Sequence, residues 1–572
     1  MKQVNAGLPP SLEAHRIYAH RLAVKKHCRA TLVLFILLRS SIAQSADFSS
    51  IDIQRRQAIQ LEQSQIKSPE RSENLRSSPI FGVPEQVIVS EPECFQIQAF
   101  VWQGAESFDW LTAESTHFTG KCLGAQSLVR LRDYLTLALL GHGYVTSRVI
   151  YPEQNLRQGT LTIQIIPGLI SSIKNNGTPI GKTWFPLAIN SGEILNQRDL
   201  DQSLDNFRRL TSQTGTNFDI LPGTELGDSS IVIVNPKSRL WQGVIGIDNS
   251  GGESTGKYQL FANLSIDSIF GIYDNLALTY NSNANYYNQA TGNHTSSLQW
   301  SFPLGYTLIS LGINQSDYKH TVAGFVAPIE YTGINATSDL GLSYTTYRAN
   351  NYKGQSQIKI FRKTSQNSID SINIDVQARD VLGWEINHQH KQQIHSWSTT
   401  MNLAIRGSLP KQSNNIGILV GMPDWDGHYH TTNINFNAAH EFIFPNGNLH
   451  YETQIRWQDS ANSLPPSEYL SIGGRYSVRG FDSEATLSSE SGGYWRNEIG
   501  LSLFDTHTSY FSFDIGKIAE QQSNSNTISG FSMGERGSFF NLSYDISIGW
   551  PIVKPDYFTK HPTIAGTLSI QI

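Results

Sequence analysis

The run Phe540-Asn541-Leu542-Ser543-Tyr544-Asp545-Ile546-Ser547-Ile548-Gly549-Trp550 sets aromatic and aliphatic side chains at alternate positions, with Asn541, Ser543, Asp545 and Ser547 between them. Successive residues of a β-strand point to opposite faces, so this run has one apolar and one polar face. Residues 258–267 do the same, with Tyr258, Leu260, Ala262, Leu264 and Ile266 set against Gln259, Asn263, Ser265 and Asp267. The chain ends on a third case, in which Ile564, Gly566, Leu568, Ile570 and Ile572 share a side. Dyads of about ten residues suit a transmembrane barrel, with lipid outside and a wet lumen inside. A soluble sandwich has the same period. Length separates the two: residues 239–572 are a succession of such runs, parted by Gly, Asn, Ser and Asp without helical periodicity. That is large for one sandwich, whereas single-chain bacterial barrels have about 8 to 26 strands or more. The expected fold is mainly β, a transmembrane antiparallel β-barrel over 239–572. Leu260 and Ile546 should face lipid and Asn263 the lumen.

Composition agrees with a surface that is not fully wet. Only 16% of the 572 residues are charged, against about 25% in ordinary soluble domains. A net charge of -5 gives no basic footprint, which excludes nucleic acid as a partner. At the N-terminus Arg21, Lys25, Lys26 and Arg29 precede the apolar run 30–38, and Ser41-Ile42-Ala43 supplies small residues for cleavage. Residues 1–43 therefore read as a secretory signal peptide cut after Ala43. The apolar run is far short of the roughly 20 residues of a membrane-spanning helix. No other segment reaches that length, so strands must do the spanning.

Export also bears on cysteine. Cys28 falls in the signal, leaving Cys94 and Cys122 in the mature chain. An even pair in an exported protein reads as a disulfide, which would stabilise a small domain by about 3 to 4 kcal/mol; two unrelated buried thiols are the alternative. Two cysteines without clustered histidines do not make a zinc site. Residues 44–92 combine a polar helix over 51–68, bearing Ile51, Ile53, Ile59 and Leu61, with a linker punctuated by Pro69, Pro79, Pro84 and Pro92. Two small α/β units follow, over 93–168 and 169–238. In the first, Phe95, Ile97, Ala99 and Val101 alternate as one strand, Leu128, Leu131, Leu135, Ala138 and Leu139 mark a helix stopped by Gly141 and Gly143, and strands are expected over 145–150 and 160–166. In the second, Asn196 caps a helix with the face Leu200, Leu204, Phe207 and Leu210, and residues 231–234 close the sheet. Neither unit has a phosphate loop or a clustered nucleophile and base, and the chain has no nucleophile elbow or H-E-x-x-H run. No enzyme activity and no cofactor are expected.

Two groups of residues carry a resemblance. Cys94-Phe95 and Ile97, Cys122-Leu123-Gly124, Gly143-Tyr144-Val145-Thr146-Ser147-Arg148, Glu153-Gln154-Asn155-Leu156 and Gly159 resemble the first POTRA domain of two-partner secretion outer-membrane transporters (TpsB; the ShlB/FhaC/HecB haemolysin secretion/activation family). Glu468-Tyr469-Leu470-Ser471-Ile472-Gly473-Gly474, then Val478-Arg479-Gly480-Phe481 and Trp495-Arg496-Asn497-Glu498, resemble that family's sixth extracellular loop and the following strand.

The resemblance implies a barrel of about 16 strands, two periplasmic POTRA domains, and an N-terminal helix that in the family can plug the pore. It implies that the loop folds back into the lumen, with Arg479 paired to an acidic residue on the wall, here Asp514, and that Cys94 and Cys122 staple the first POTRA unit. The implied function is capture of an unfolded exoprotein with an N-terminal secretion domain, of haemolysin, adhesin or contact-dependent toxin type, and its passage through the pore. Outer-membrane lipid and the barrel assembly machinery are the other implied partners. Ile572 stands where such barrels commonly end on an aromatic. The alternative is an insertase of the related BamA-like proteins, which typically carry more POTRA domains.

Overall fold

The computed structural model describes residues 87–285, 290–322, 327–414, 425–445, 447–504, 506–519 and 526–572. The signal peptide and the helix expected over 51–68 lie outside them. Among the described residues no helix is long and apolar enough to cross a membrane; the crossing is made by strands.

Sixteen strands, from Trp241–Asp248 to Thr563–Gln571, form a closed antiparallel barrel in which the last pairs with the first, Thr567 opposite Asp248 and Gln571 opposite Val244. Rows across the sheet show why this sequence closes in a bilayer. Ile266, Leu276, Trp300, Leu311, Leu340 and Ile360 are successive register partners on the outer face. Asn263, Thr279, Ser297, Asn314, Thr337 and Lys363 form such a row on the inner face. Closure leaves no unpaired strand edge, which the hydrocarbon core would not tolerate. Leu260 and Ile546 belong to the outer set and are 36% and 47% exposed. Phe540 departs from the expectation of one unbroken run: it lies at the hairpin turn with φ +54°, and the strand begins at Leu542.

Ahead of the barrel lie the two α/β units. The first packs the helix Ala125–Gly141 on a small sheet, with Leu131, Leu135 and Leu139 against Ile97, Leu161, Ile163 and neighbours. Its opening strand is not continuous. Phe95–Ile97 pairs antiparallel with Lys121–Leu123, whereas Ala99–Gln103 runs parallel to Thr160–Ile166. The break occurs because the Gln98 and Ala99 amides both donate to the Gly159 carbonyl, at 2.7 and 3.2 Å. Parity then shifts, so Phe100 and Trp102 join Ile97 in the core while Val101 is 45% exposed. The strand expected over 145–150 is likewise shorter, Arg148–Ile150, because residues 145–147 turn; Ser147 Oγ there accepts from the Gly168 amide at 3.0 Å, at the joint with the second unit. Cys94 and Cys122 are disulfide-bonded with Cα atoms 5.4 Å apart.

Residues 87–91, which the sequence assigns to the linker, dock on this unit. The Glu91 carboxylate accepts from the Gln126 and Ser127 amides, both at 2.9 Å, at the start of the helix. These backbone donors hold its carboxyl below the usual carboxylate range.

The second unit carries the helix Gln197–Arg208, capped by Asn196 through its Arg198 amide contact of 2.9 Å. Leu200 and Phe207 face its sheet, as the sequence spacing requires. The opposite side is polar yet buried, with Gln202 and Asn206 each under 8% exposed, because it rests on the inner rim of the barrel. Asp205 meets Arg348 at 2.5 Å and Lys353 at 3.4 Å. Asn206 Nδ2 donates to the Gly305 carbonyl at 2.6 Å, and Arg209 donates to Ser301 Oγ at 2.8 Å. Tyr306 donates its hydroxyl to Asp199.

Candidate functional site: a loop seated on the inner wall

The connection between the strands Gly447–Asp459 and Gly492–Phe504 is long and folds inward. It carries its own antiparallel pair, Leu470–Ile472 with Leu487–Ser489. Leu470, Ile472, Val478, Phe481 and Leu487 are all buried, against Tyr494, Ile518 and Ile528 of the wall and Phe558. The Phe481 and Phe558 rings meet edge-on at 5.5 Å. An exposed loop would not bury such side chains, so it is packing that places this segment inside.

Between Gly474 and Val478 the chain makes a tight turn, with the Gly474 amide donating to the Val478 carbonyl at 3.2 Å. That turn presents Arg479 to the wall. Its Nε and Nη2 donate to the two oxygens of Asp514 at 2.7 and 2.8 Å, and its backbone amide also donates to Asp514 Oδ2 at 2.9 Å. Nη1 donates to Glu498 Oε2 at 2.5 Å and Nη2 to the Asn497 carbonyl at 3.1 Å. The planar guanidinium suits this forked, charge-assisted geometry. Asp514 is fully buried and the Arg479 side chain is 11% exposed. Strand parity explains the aim: Tyr510, Ser512, Asp514 and Gly516 point in, while Phe511, Phe513 and Ile515 point to lipid.

Gly480 follows with φ +101°, a conformation that favours glycine. A Cβ there would lie 2.5 Å from the Trp550 carbonyl oxygen. The wall is equally bare where the loop touches it. A Cβ on Gly530 would stand 2.2 Å from the Arg479 carbonyl oxygen, one on Gly549 2.8 Å from Gly480 Cα, and one on Gly516 2.9 Å from side-chain atoms of Ile472 and Val478.

The structure thus brings together Val478, Arg479, Gly480, Phe481 and Asp514. Sequence reasoning gave no role to Glu498, to Arg536, which donates to Glu498 from the next strand but one, or to the wall glycines. Inward parity at Glu498 and Arg536 was the available signal. No signal marked the glycines, because a glycine in a strand reads first as a bulge or turn.

Comparison with known proteins agrees with this geometry. The family described as haemolysin secretion/activation protein ShlB/FhaC/HecB matches residues 227–537, more than half of the chain. The POTRA domain of ShlB type matches residues 95–168. Similar proteins include the outer membrane transporter CdiB-2 of Burkholderia pseudomallei (strain 1026b), 28% identical over 85% of this chain and 87% of the relative. The hemolysin transporter protein HpmB of Proteus mirabilis is 27% identical over 84% of this chain and 86% of the relative. Among solved structures, CdiB from Escherichia coli superposes with a TM-score of 0.83 at 24% identity, covering 92% of this chain and 100% of that one.

Proposed function

Because this chain belongs to the haemolysin secretion/activation (ShlB/FhaC/HecB) family, and so is an outer-membrane transporter of the two-partner secretion type with its POTRA domains in the periplasm, we propose that its cargo is one large exoprotein of contact-dependent toxin, haemolysin or adhesin type. Among the relatives named above, the hemolysin transporter protein HpmB supports the haemolysin type. The family match also sets the chain on the secretion side of the choice between transporter and insertase.

In this reading residues 1–43 are removed on export, 44–92 form the N-terminal helix and linker, 93–168 and 169–238 are the POTRA domains, and 239–572 are the barrel. The POTRA units bind the cargo's N-terminal secretion domain, and the Cys94–Cys122 bond staples the first of them. Strand addition to a sheet edge is the mode of capture that suits an unfolded cargo. The cargo then threads the lumen and folds outside, and that folding supplies direction without a nucleotide.

The observation that carries the proposal is the Arg479–Asp514 contact, which holds the loop 460–491 inside a barrel whose sixteen strands are the number that leaves an aqueous channel in porins. Transport requires that the loop be held and released there. Arg479→Ala is expected to abolish export of the cargo exoprotein, while the heat-modifiable barrel still accumulates in outer membranes. Normal amounts of exoprotein in the medium would rule out the role, and absence of the barrel would assign Arg479 to assembly instead.

A further inference from the structure

The loop is tied to the wall at a second place, with the charges reversed. Glu468 ends the short helical turn Pro466–Glu468, in the limb that leaves the strand Gly447–Asp459. Its side chain is 5% exposed. One carboxylate oxygen accepts from Lys363 Nζ at 2.5 Å, and the other lies 3.5 Å from Arg406 Nη1. Arg406 turns its Nε and Nη2 to Glu385 Oε2 at 2.8 and 2.6 Å. Lys359 stands 3.6 Å from Glu385 and 3.9 Å from Asp339. The wall here offers three cations, Lys359, Lys363 and Arg406, against two carboxylates, Glu385 and Asp339; the carboxylate of the loop completes the balance. The backbone is held as well, since Gln458 Nε2 donates to the Glu468 carbonyl at 2.8 Å. Val381, Tyr429 and Leu464 pack beside the cluster and exclude water from one flank.

The two anchors occupy different arcs of the ring. Arg479 sits on the strands Gly492–Phe504 and His507–Ile518, and Glu468 on Tyr352–Ile369 and Trp397–Ser408. The strands His430–Phe444 and Gly447–Asp459 lie between them. At one end a cation of the loop meets wall carboxylates; at the other a carboxylate of the loop meets wall cations. Neither end can take the other's seat without setting like charges together, which is disfavoured in an enclosed site.

We propose that Glu468 is a positioning residue of the transporter, a second latch of opposite polarity to Arg479 that fixes the direction and depth of the loop in the lumen. The proposal rests on reading this loop as the element that occupies the pore. It follows that release of Arg479 alone leaves the loop tethered, to pivot about Glu468 and not to leave the barrel.

Single-channel recordings on the purified full chain in planar bilayers test this without any cargo. Glu468→Lys, which faces Lys363 and Arg406 with a third cation, is expected to raise the frequency of high-conductance events at least several-fold over the parent. Lys363→Glu should do the same. The exchange Glu468→Lys with Lys363→Glu should return the traces toward those of the parent, which a merely structural role for either residue would not predict. Glu468→Gln, nearly isosteric, keeps the test valid if the charge reversal does not assemble, and should lie between parent and Glu468→Lys. Parent-like traces from Glu468→Gln and Glu468→Lys, or an exchange as open as the single variants, would overturn the latch. Altered conductance with unaffected cargo export would instead count against the role of the loop in transport and leave the latch standing.

Discussion

At the scale of single residues the site is an argument about what a buried charge needs. Arg479 is nearly enclosed, and all three of its guanidinium nitrogens find oxygen acceptors. Removing one member of such a set leaves the others unpaired, at about 3 to 5 kcal/mol, which is why a single truncation suffices as a test. Gly480 makes a separate demand, set by backbone and not by charge. With φ +101° and the Trp550 carbonyl in the way of a Cβ, Gly480→Ala is expected to weaken docking of the loop by about 2 kcal/mol of local strain. Protease cleavage within 460–491 on intact cells should rise several-fold over the parent; a parent-like cleavage rate would mean that the loop tolerates the strain. Arg479 and Asp514 could be singled out from the sequence because the family resemblance implies an arginine in the loop motif and an acidic partner on the wall, and both match local runs of this chain. That Gly549 would lie against Gly480 could not, since it depends on the height at which a distant strand passes the loop, and strand period carries no height.

Among elements, the barrel strands were the most legible. A period of two separates two faces directly, and the length of the succession over 239–572 makes them a lipid face and a lumen face and not the sides of a sandwich. The opening strand of the first POTRA unit was not, because the break at Gln98 is decided by the Gly159 carbonyl, a partner remote in sequence. The lipid face yields a graded expectation. Ile546 lies well inside the strand Leu542–Val553, so Ile546→Arg should cost about 2 to 4 kcal/mol and reduce assembled barrel. Leu260 is second in Gln259–Asp267, beside an external loop, and Leu260→Arg should cost only about 0 to 1 kcal/mol. Asn263→Arg, in the lumen, should assemble normally. Heat-modifiable band intensity in outer membranes compares the three, and equal loss in all would contradict the facing. The Glu91 cap makes an expectation about pH. Its carboxyl is held below its ordinary value in the folded state, so the stability it adds is complete above the usual carboxylate range and is lost as pH falls through the lowered value. Among the described residues the α-helices all lie in the two POTRA units; the helix proposed within 44–92 is common to parent and variant, so the difference in helical circular dichroism between the two reports on those units. Glu91→Gln should flatten the acid side of their melting temperature against pH, and an unchanged acid slope would refute the cap.

For the whole molecule the decisive joint is the one between the second POTRA unit and the rim of the barrel. Arg348 has a side chain only 1% exposed and relies on Asp205, so Asp205→Ala should loosen the joint by about 3 to 5 kcal/mol. Distance distributions between spin labels on the helix Gln197–Arg208 and on the rim should broaden, and a distribution as narrow as that of the parent would show that the remaining contacts suffice. A joint this well held aims the periplasmic arm at one quadrant of the opening. The seated loop has a consequence of another kind. A ring of sixteen strands left empty is a hole of porin calibre, through which hydrophilic antibiotics would enter and periplasmic nutrients escape. If the loop held by Arg479 and Glu468 closes this hole as proposed, ion pairs in place of a covalent plug give the envelope a hatch that can be reset after each delivery, so a bacterium can keep many copies in place without surrendering its permeability barrier.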